Sequence, residues 1–286
     1  MTVVVREPAE LGTRTQDVRR SGRQVGFVPT MGALHEGHLA LVREAARRAD
    51  VVVVSIFVNP LQFGPDEDLA RYPRDLESDV RLLQPLGVDA VFAPSVEAMY
   101  PPGAATRVRV EGLTETLCGP HRPGHFEGVT TVCARLFGII GACTAVFGRK
   151  DYQQWRVIAR MVRDLAMPVD VVGHPIVRDP DGLAMSSRNA YLSPHERERA
   201  LAIPRGLSAA WDVYAAGERR PGELEAGLRR TLKGEVDSIE YVTAADPREL
   251  GRPTGDGPVL LAVAVRVGKT RLLDNAVLGE DPRPLP

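Results

Sequence analysis

The sequence predicts an α/β protein: a doubly wound parallel sheet followed by a smaller C-terminal α+β domain. Three observations carry this reading. The run at 51–58, VVVVSIFV, is apolar at nearly every position, as expected of a strand covered by helices on both faces. Strand-like and helix-like segments alternate up to about residue 175, the pattern of repeated β-α-β units. After residue 175 this alternation stops, and helices precede a pair of apolar strands.

Taken in order, 25–28 reads as a strand. The segment 38–49 reads as a helix with Leu39, Leu41, Val42, Ala45 and Ala46 along one face. Then come strand 51–58, helix 75–86, a short strand 89–93, helix 128–141, strand 145–147, helix 151–166 and strand 169–172. A loop rich in Asp, Gly and Ser (179–190) leads into helix 194–216. Ser193 is its expected N-cap and Pro204 is expected to break it in two. Helix 222–232 and strands 238–243 and 259–267 complete the chain. The expected domains are 1–175 and 176–286, hinged near Pro175.

Composition narrows the class. Of 286 residues, 44% are hydrophobic and 26% charged, with a net charge of −1. That balance lacks the basic footprint of a nucleic-acid binder. Cys118, Cys133 and Cys143 form no C-x-x-C pair, which predicts a reducing compartment without structural disulfides or a thiolate zinc site. No apolar run approaches the roughly 20 residues that span a bilayer. The opening MTVVVREPAE carries Arg6 and Glu7 instead of a secretory core. The expectation is a cytoplasmic protein with no membrane partner. Lysine occurs only at Lys150, Lys233 and Lys269, so a lysine inside a glycine-bounded loop stands out.

The most informative segment is 26–38, GFVPTMGALHEGH. An apolar strand ends at a turn marked by Pro29 and Gly32, and a helix opens beside His35 and His38. A helix N-terminus presents unpaired N–H groups and a positive dipole end, which suits phosphate. Gly32 and Gly37 permit close approach, and the two imidazoles add donors. The spacing is not that of the zinc motif H-E-x-x-H, and no third ligand is evident nearby.

Three further segments follow expected strands, where doubly wound sheets bind ligands. Asn59 and Gln62, in NPLQFG, offer neutral hydrogen-bonding groups for a hydroxyl- or carboxylate-bearing substrate, although a plain turn explains the same residues. GRKDYQQ at 148–154 sets Gly148, Arg149, Lys150 and Asp151 at a helix start with Gln154 one turn in; the plainer reading is an Asp N-cap. GLAMSSRN at 182–189 brings Ser186, Ser187 and the forked donors of Arg188 to a loop that can close over phosphates. Two patterns fail: Gly268-Lys269-Thr270 lacks the first glycine of a P-loop, and no G-x-G-x-x-G follows the first strand.

Together PTMGALHEGH, VSIFVNPLQF, RPGHFEGV, FGRKDYQQ, DGLAMSSRNAYLS and TRLLDN closely resemble the pantoate–β-alanine ligases, members of the nucleotidylyltransferase group. The resemblance spans nearly the whole chain. It implies a Rossmann-like nucleotide- and pantoate-binding domain over 1–175 and a lid domain over 176–286. It also implies two half-reactions: pantoate and Mg-ATP give pantoyl adenylate and pyrophosphate, then β-alanine displaces AMP to give pantothenate. By the same resemblance Met31, Gly32, Ala33, Leu34, His35, Glu36, Gly37 and His38 line the ATP site, with His38 the proton donor. Gly148, Arg149, Lys150, Asp151, Val177, Met185, Ser186, Ser187 and Arg188 contact the nucleotide. Gln62 and Gln154 hold pantoate, with Gln62 also near β-alanine; His125 lies near the substrate pocket, Asp79 lies near Mg2+, and the enzyme is a homodimer. One departure is Arg149, where the family usually has Glu. The main rival is an enzyme that moves AMP onto a phosphorylated small molecule without ligation. A non-catalytic nucleotide-binding regulator would not need both histidines and the 186–188 cluster.

Overall fold

The computed structural model describes residues 2–65, 67 and 69–285. In chain order its regular elements are β1 (Val3–Val5), α1 (Pro8–Arg20), β2 (Val25–Thr30), α2 (Glu36–Arg48), β3 (Val51–Ile56), α3 (Leu76–Leu83), β4 (Ala90–Phe92) and α4 (Val96–Met99). There follow α5 (His125–Ile140), β5 (Cys143–Gly148), α6 (Tyr152–Asp164), β6 (Val169–His174), α7 (Pro194–Ala200), α8 (Ala202–Ala215), α9 (Pro221–Leu232), β7 (Ser238–Ala245), β8 (Val259–Val267) and β9 (Thr270–Leu278).

The chain divides into two compact units. The first comprises 1–111, 122–149 and 154–175; the second comprises 112–121, 150–153 and 176–286. A simple break at 175 would leave 112–121 and 150–153 in the first unit, whereas their contacts cluster with the second.

The first unit is built on a six-stranded sheet of order β1-β4-β3-β2-β5-β6, and the recorded pairings are parallel. β3 lies inside it with its first five residues buried, because β-branched valines pack well on a pleated surface covered on both sides. Val28, Val42, Val54, Leu83 and Val146 are fully buried in one of its clusters, each worth about 1.5–3 kcal/mol of transfer from water. Connections from β2 run toward β3, while those from β5 run toward β6, so strand order reverses between β2 and β5. Ligands of doubly wound sheets bind beyond the carboxyl ends of strands at that reversal.

The second unit carries an antiparallel sheet, β7-β8-β9, in full register from Val259↔Leu278 to Val267↔Thr270. Alternate β8 residues Val259, Leu261, Val263, Val265 and Val267 share a cluster with Leu207 of α8 and Leu228 of α9, as the period of two requires. The expected helix 194–216 is two helices that part at Leu201. Pro204 is not the break: it sits in the first turn of α8, where its missing N–H leaves no bond unmade. Residues of β1, α1 and β9 form elements that periodicity did not indicate.

Candidate active site

The turn after β2 is held from one side by a carboxylate. Gly32 adopts φ +83° and Ala33 φ 52°, a left-handed pair that turns successive N–H groups the same way. Asp79 accepts both: Ala33 N–H at 3.0 Å on Oδ2 and Leu34 N–H at 2.8 Å on Oδ1. A Cβ on Gly32 would lie 2.8 Å from Asp79 Oδ2, so glycine is required by conformation and by space. Asp79 is 3% exposed. Burial raises its pKa, although the two N–H bonds pull the other way.

Beyond the turn α2 begins one residue after His35, its N-cap, so His38 occupies the first turn. The two imidazoles lie 4.1 Å apart with their planes tilted by 39°. His38 Nδ1 accepts the His35 backbone N–H at 3.4 Å. In the neutral ring this leaves the proton on Nε2, which makes that nitrogen the donor. Glu36 is turned to the exposed surface, where Arg43 pairs with it and lowers its pKa.

At the end of the neighbouring β3, Asn59 and Gln62 form one network. Asn59 is 1% exposed. Its Nδ2 donates to Gln62 Oε1 at 3.1 Å and to Gly128 O at 3.0 Å. Its Oδ1 accepts Leu61 N–H at 3.2 Å and Tyr100 Oη–H at 2.9 Å. An amide has no more to give, so in this structure Asn59 supports Gln62. Gln62 Nε2 in turn donates to Met31 Sδ at 2.9 Å, linking the β3 turn to the β2 turn.

His125, at the start of α5, is also engaged behind Gln62. Its Nδ1 lies 2.9 Å from Gln62 O and its Nε2 lies 2.8 Å from Arg122 Nη1. Arginine only donates, so Nε2 accepts and the neutral Nδ1–H donates to the carbonyl. Both ring nitrogens thus serve the protein's own groups, Arg122 and the Gln62 carbonyl. Arg122 also pairs with Glu67 at 2.6 Å. Burial opposes ionisation of Glu67, but the Arg122 hydrogen bond and charge outweigh it and lower its pKa. Tyr100 and Gly128, which complete this network, carried no chemical signal in the sequence, although Gly128 lies inside RPGHFEGV.

Gly148 ends β5, next to β2 in the sheet. The guanidinium of Arg149 lies 5.9 Å from the centre of the Trp155 ring, which shows how a cation is accommodated there. Gln154 is half-buried on α6. In the second unit Lys150 is half-buried and Asp151 exposed. The adjacent Gln153 is structural, donating to Leu113 O and Thr116 O and accepting Cys118 N–H. Met185 N–H donates to Val177 O at 3.0 Å, and Asp179 N–H to Leu183 O at 2.8 Å. These bonds close a short hairpin that presents half-buried Ser186, Ser187 and Arg188. Ser186 Oγ accepts Arg188 N–H at 3.3 Å.

Among the described residues no cluster of three or more His, Cys, Asp or Glu could hold a metal ion. Each oxygen of Asp79 accepts one N–H of the turn and keeps a further lone pair.

Comparison with known proteins identifies the family. The model of the family "Pantoate-beta-alanine ligase" matches residues 3–277. The pantothenate synthetase of Moorella thermoacetica is 55% identical over 91% of this chain and 93% of its own. That of Geobacter sulfurreducens is 51% identical over 97% and 99%. A crystal structure of the Thermus thermophilus enzyme superposes with a TM-score of 0.91 at 48% identity, covering all of both chains. The Francisella tularensis pantoate-β-alanine ligase, complexed with β-γ ATP and β-alanine, gives 0.80 at 31% identity over 99% of this chain and 100% of that one. The chain belongs to the pantoate–β-alanine ligase family.

Proposed function

We propose that this chain condenses pantoate with β-alanine at the expense of ATP, through a pantoyl adenylate, and that the turn at 31–38 receives the triphosphate. The observation that carries this reading is the pair of imidazoles at a helix N-terminus beyond β2, tied through Met31 to Gln62. One edge of the sheet thus offers phosphate donors beside a neutral amide.

Pantoate arrives ionised, so the first step needs no strong base. Its carboxylate oxygen attacks the α-phosphorus as the bond to pyrophosphate breaks. His38 Nε2–H and the His35 ring donate to phosphate oxygens as charge develops. Gln62 and Gln154 orient pantoate for in-line attack. Lys150, Ser186, Ser187 and Arg188 add donors toward the nucleotide. The amine of β-alanine then attacks the acyl carbon, AMP departs, and the amine proton is lost to solvent. Magnesium is proposed to accompany ATP, with Asp79 near it, and would neutralise charge on the phosphates. Free Cys118, Cys133 and Cys143 are consistent with a cytoplasmic setting, and the proposed assembly is a homodimer.

The test is pre-steady-state release of pyrophosphate from ATP and pantoate. His35→Ala and His38→Ala are each expected to slow it about 100-fold or more, in the range for removal of one transition-state donor, with pantoate affinity little changed. Wild-type bursts in both variants overturn the assignment. AMP formation that ignores β-alanine would instead favour a simple nucleotidyl transfer.

A further inference from the structure

Two adjacent residues of β9 hold two separate loops of the second unit. Asn275 is 3% exposed, and its Nδ2 donates to the backbone carbonyl of Lys150 at 2.9 Å. Asp274, also 3% exposed, takes Arg178 in a two-pronged pair, Nη1 to Oδ2 at 2.7 Å and Nη2 to Oδ1 at 3.1 Å. Arg178 Nη1 donates as well to Gly182 O at 3.1 Å, and Arg178 bridges Ala184 across the hairpin. That hairpin leads directly into Ser186, Ser187 and Arg188. Neighbouring strand residues point to opposite faces, so one strand grips the Lys150 loop from one face and the serine loop from the other. Asp274 Oδ1 also accepts the Asn275 N–H at 2.8 Å, which couples the two grips.

A buried guanidinium–carboxylate pair often adds little net stability over apolar residues of equal size, although removing one partner alone is costly. What it supplies is a fixed geometry. The β8–β9 register from Val259↔Leu278 to Val267↔Thr270 keeps both anchors at one place.

We infer that Asp274 and Asn275 are positioning residues that set the Lys150 loop and the Ser186–Ser187–Arg188 loop in register for one nucleotide. This rests on the proposed nucleotide contacts of those loops. Neither residue touches a substrate in this account; each acts through a backbone group or through Arg178.

The test compares full-length Asn275→Ala and Asp274→Asn with wild type and with Lys150→Ala, measuring kcat, KM for ATP, KM for pantoate and the unfolding midpoint. Asn275→Ala and Asp274→Asn are each expected to raise KM for ATP about tenfold, with KM for pantoate within about twofold, because small misplacements of binding groups carry large kinetic penalties. A purely structural role would lower the midpoint and reduce active enzyme without separating the two constants. An unchanged ATP constant in both variants, with Lys150→Ala raising it, overturns the positioning role alone. If Lys150→Ala leaves ATP unaffected too, the nucleotide reading of these loops falls and the inference with it. Should Asp274→Asn not fold, Asn275→Ala decides; if neither folds, the pair is structural and the inference fails.

Discussion

Asp79 shows what a single side chain contributes here. It lies 46 and 45 residues from Ala33 and Leu34, yet their N–H groups end on its two oxygens. Those N–H groups are therefore committed to shaping the turn, and the proposed phosphate contacts at this edge are those of the imidazoles and α2. Asp79→Asn replaces one acceptor with a donor facing another donor. The expected cost is about 1–3 kcal/mol, that of a buried group left unsatisfied, together with slower pyrophosphate release. Urea unfolding and rapid-quench assays check both, and wild-type values in each would sink the account. At this scale the histidines, Gln62 and the serine loop were legible as candidates, because their residue types and spacing are chemical signals. The roles of Asn59 and His125 were not. Both are polar residues in the expected place, and only counting their hydrogen bonds shows them engaged by Leu61, Gln62, Tyr100, Gly128 and Arg122. Arg149 was legible as a departure, while its packing over Trp155 needed coordinates.

Among the elements, the approach of α5 to the turn at 59–62 decides where Gln62 sits. A Cβ on Gly128 would lie 2.2 Å from Leu61 O and 2.7 Å from Gln62 N. Gly128→Ala must push the two backbones apart, with an expected loss of about 1–3 kcal/mol as for other overpacked sites and a raised KM for pantoate. Gly138→Ala on the same helix meets nothing within 4 Å and should stabilise by up to about 1 kcal/mol through helix propensity. Equal effects of the two substitutions would show that the contact is irrelevant. The long amphipathic and apolar elements, α2, β3 and β8, were readable from periodicity alone. β1 has three residues and α1 buries only Leu11 and Thr15, too little pattern to detect. α5 begins three residues earlier than expected, directly after Gly124, whose φ of 79° suits glycine.

For the molecule as a whole, the fold class was visible because alternation of periods survives any single local ambiguity. The stitching of 112–121 and 150–153 into the second unit was not, since it depends on contacts remote in sequence. Gln153 holds Leu113, Thr116 and Cys118, and Asn275 holds Lys150. A fragment of residues 176–286 lacks those segments and leaves the groups they satisfy bare. It is expected to show no cooperative thermal transition by circular dichroism, while the full chain does; a sharp melt of the fragment would refute this. The same threading limits how such a protein can be recombined. The second unit cannot be exchanged as a single cassette: a chimera between relatives has to carry three stretches of gene from one parent, and a crossover placed at 175 would mix them.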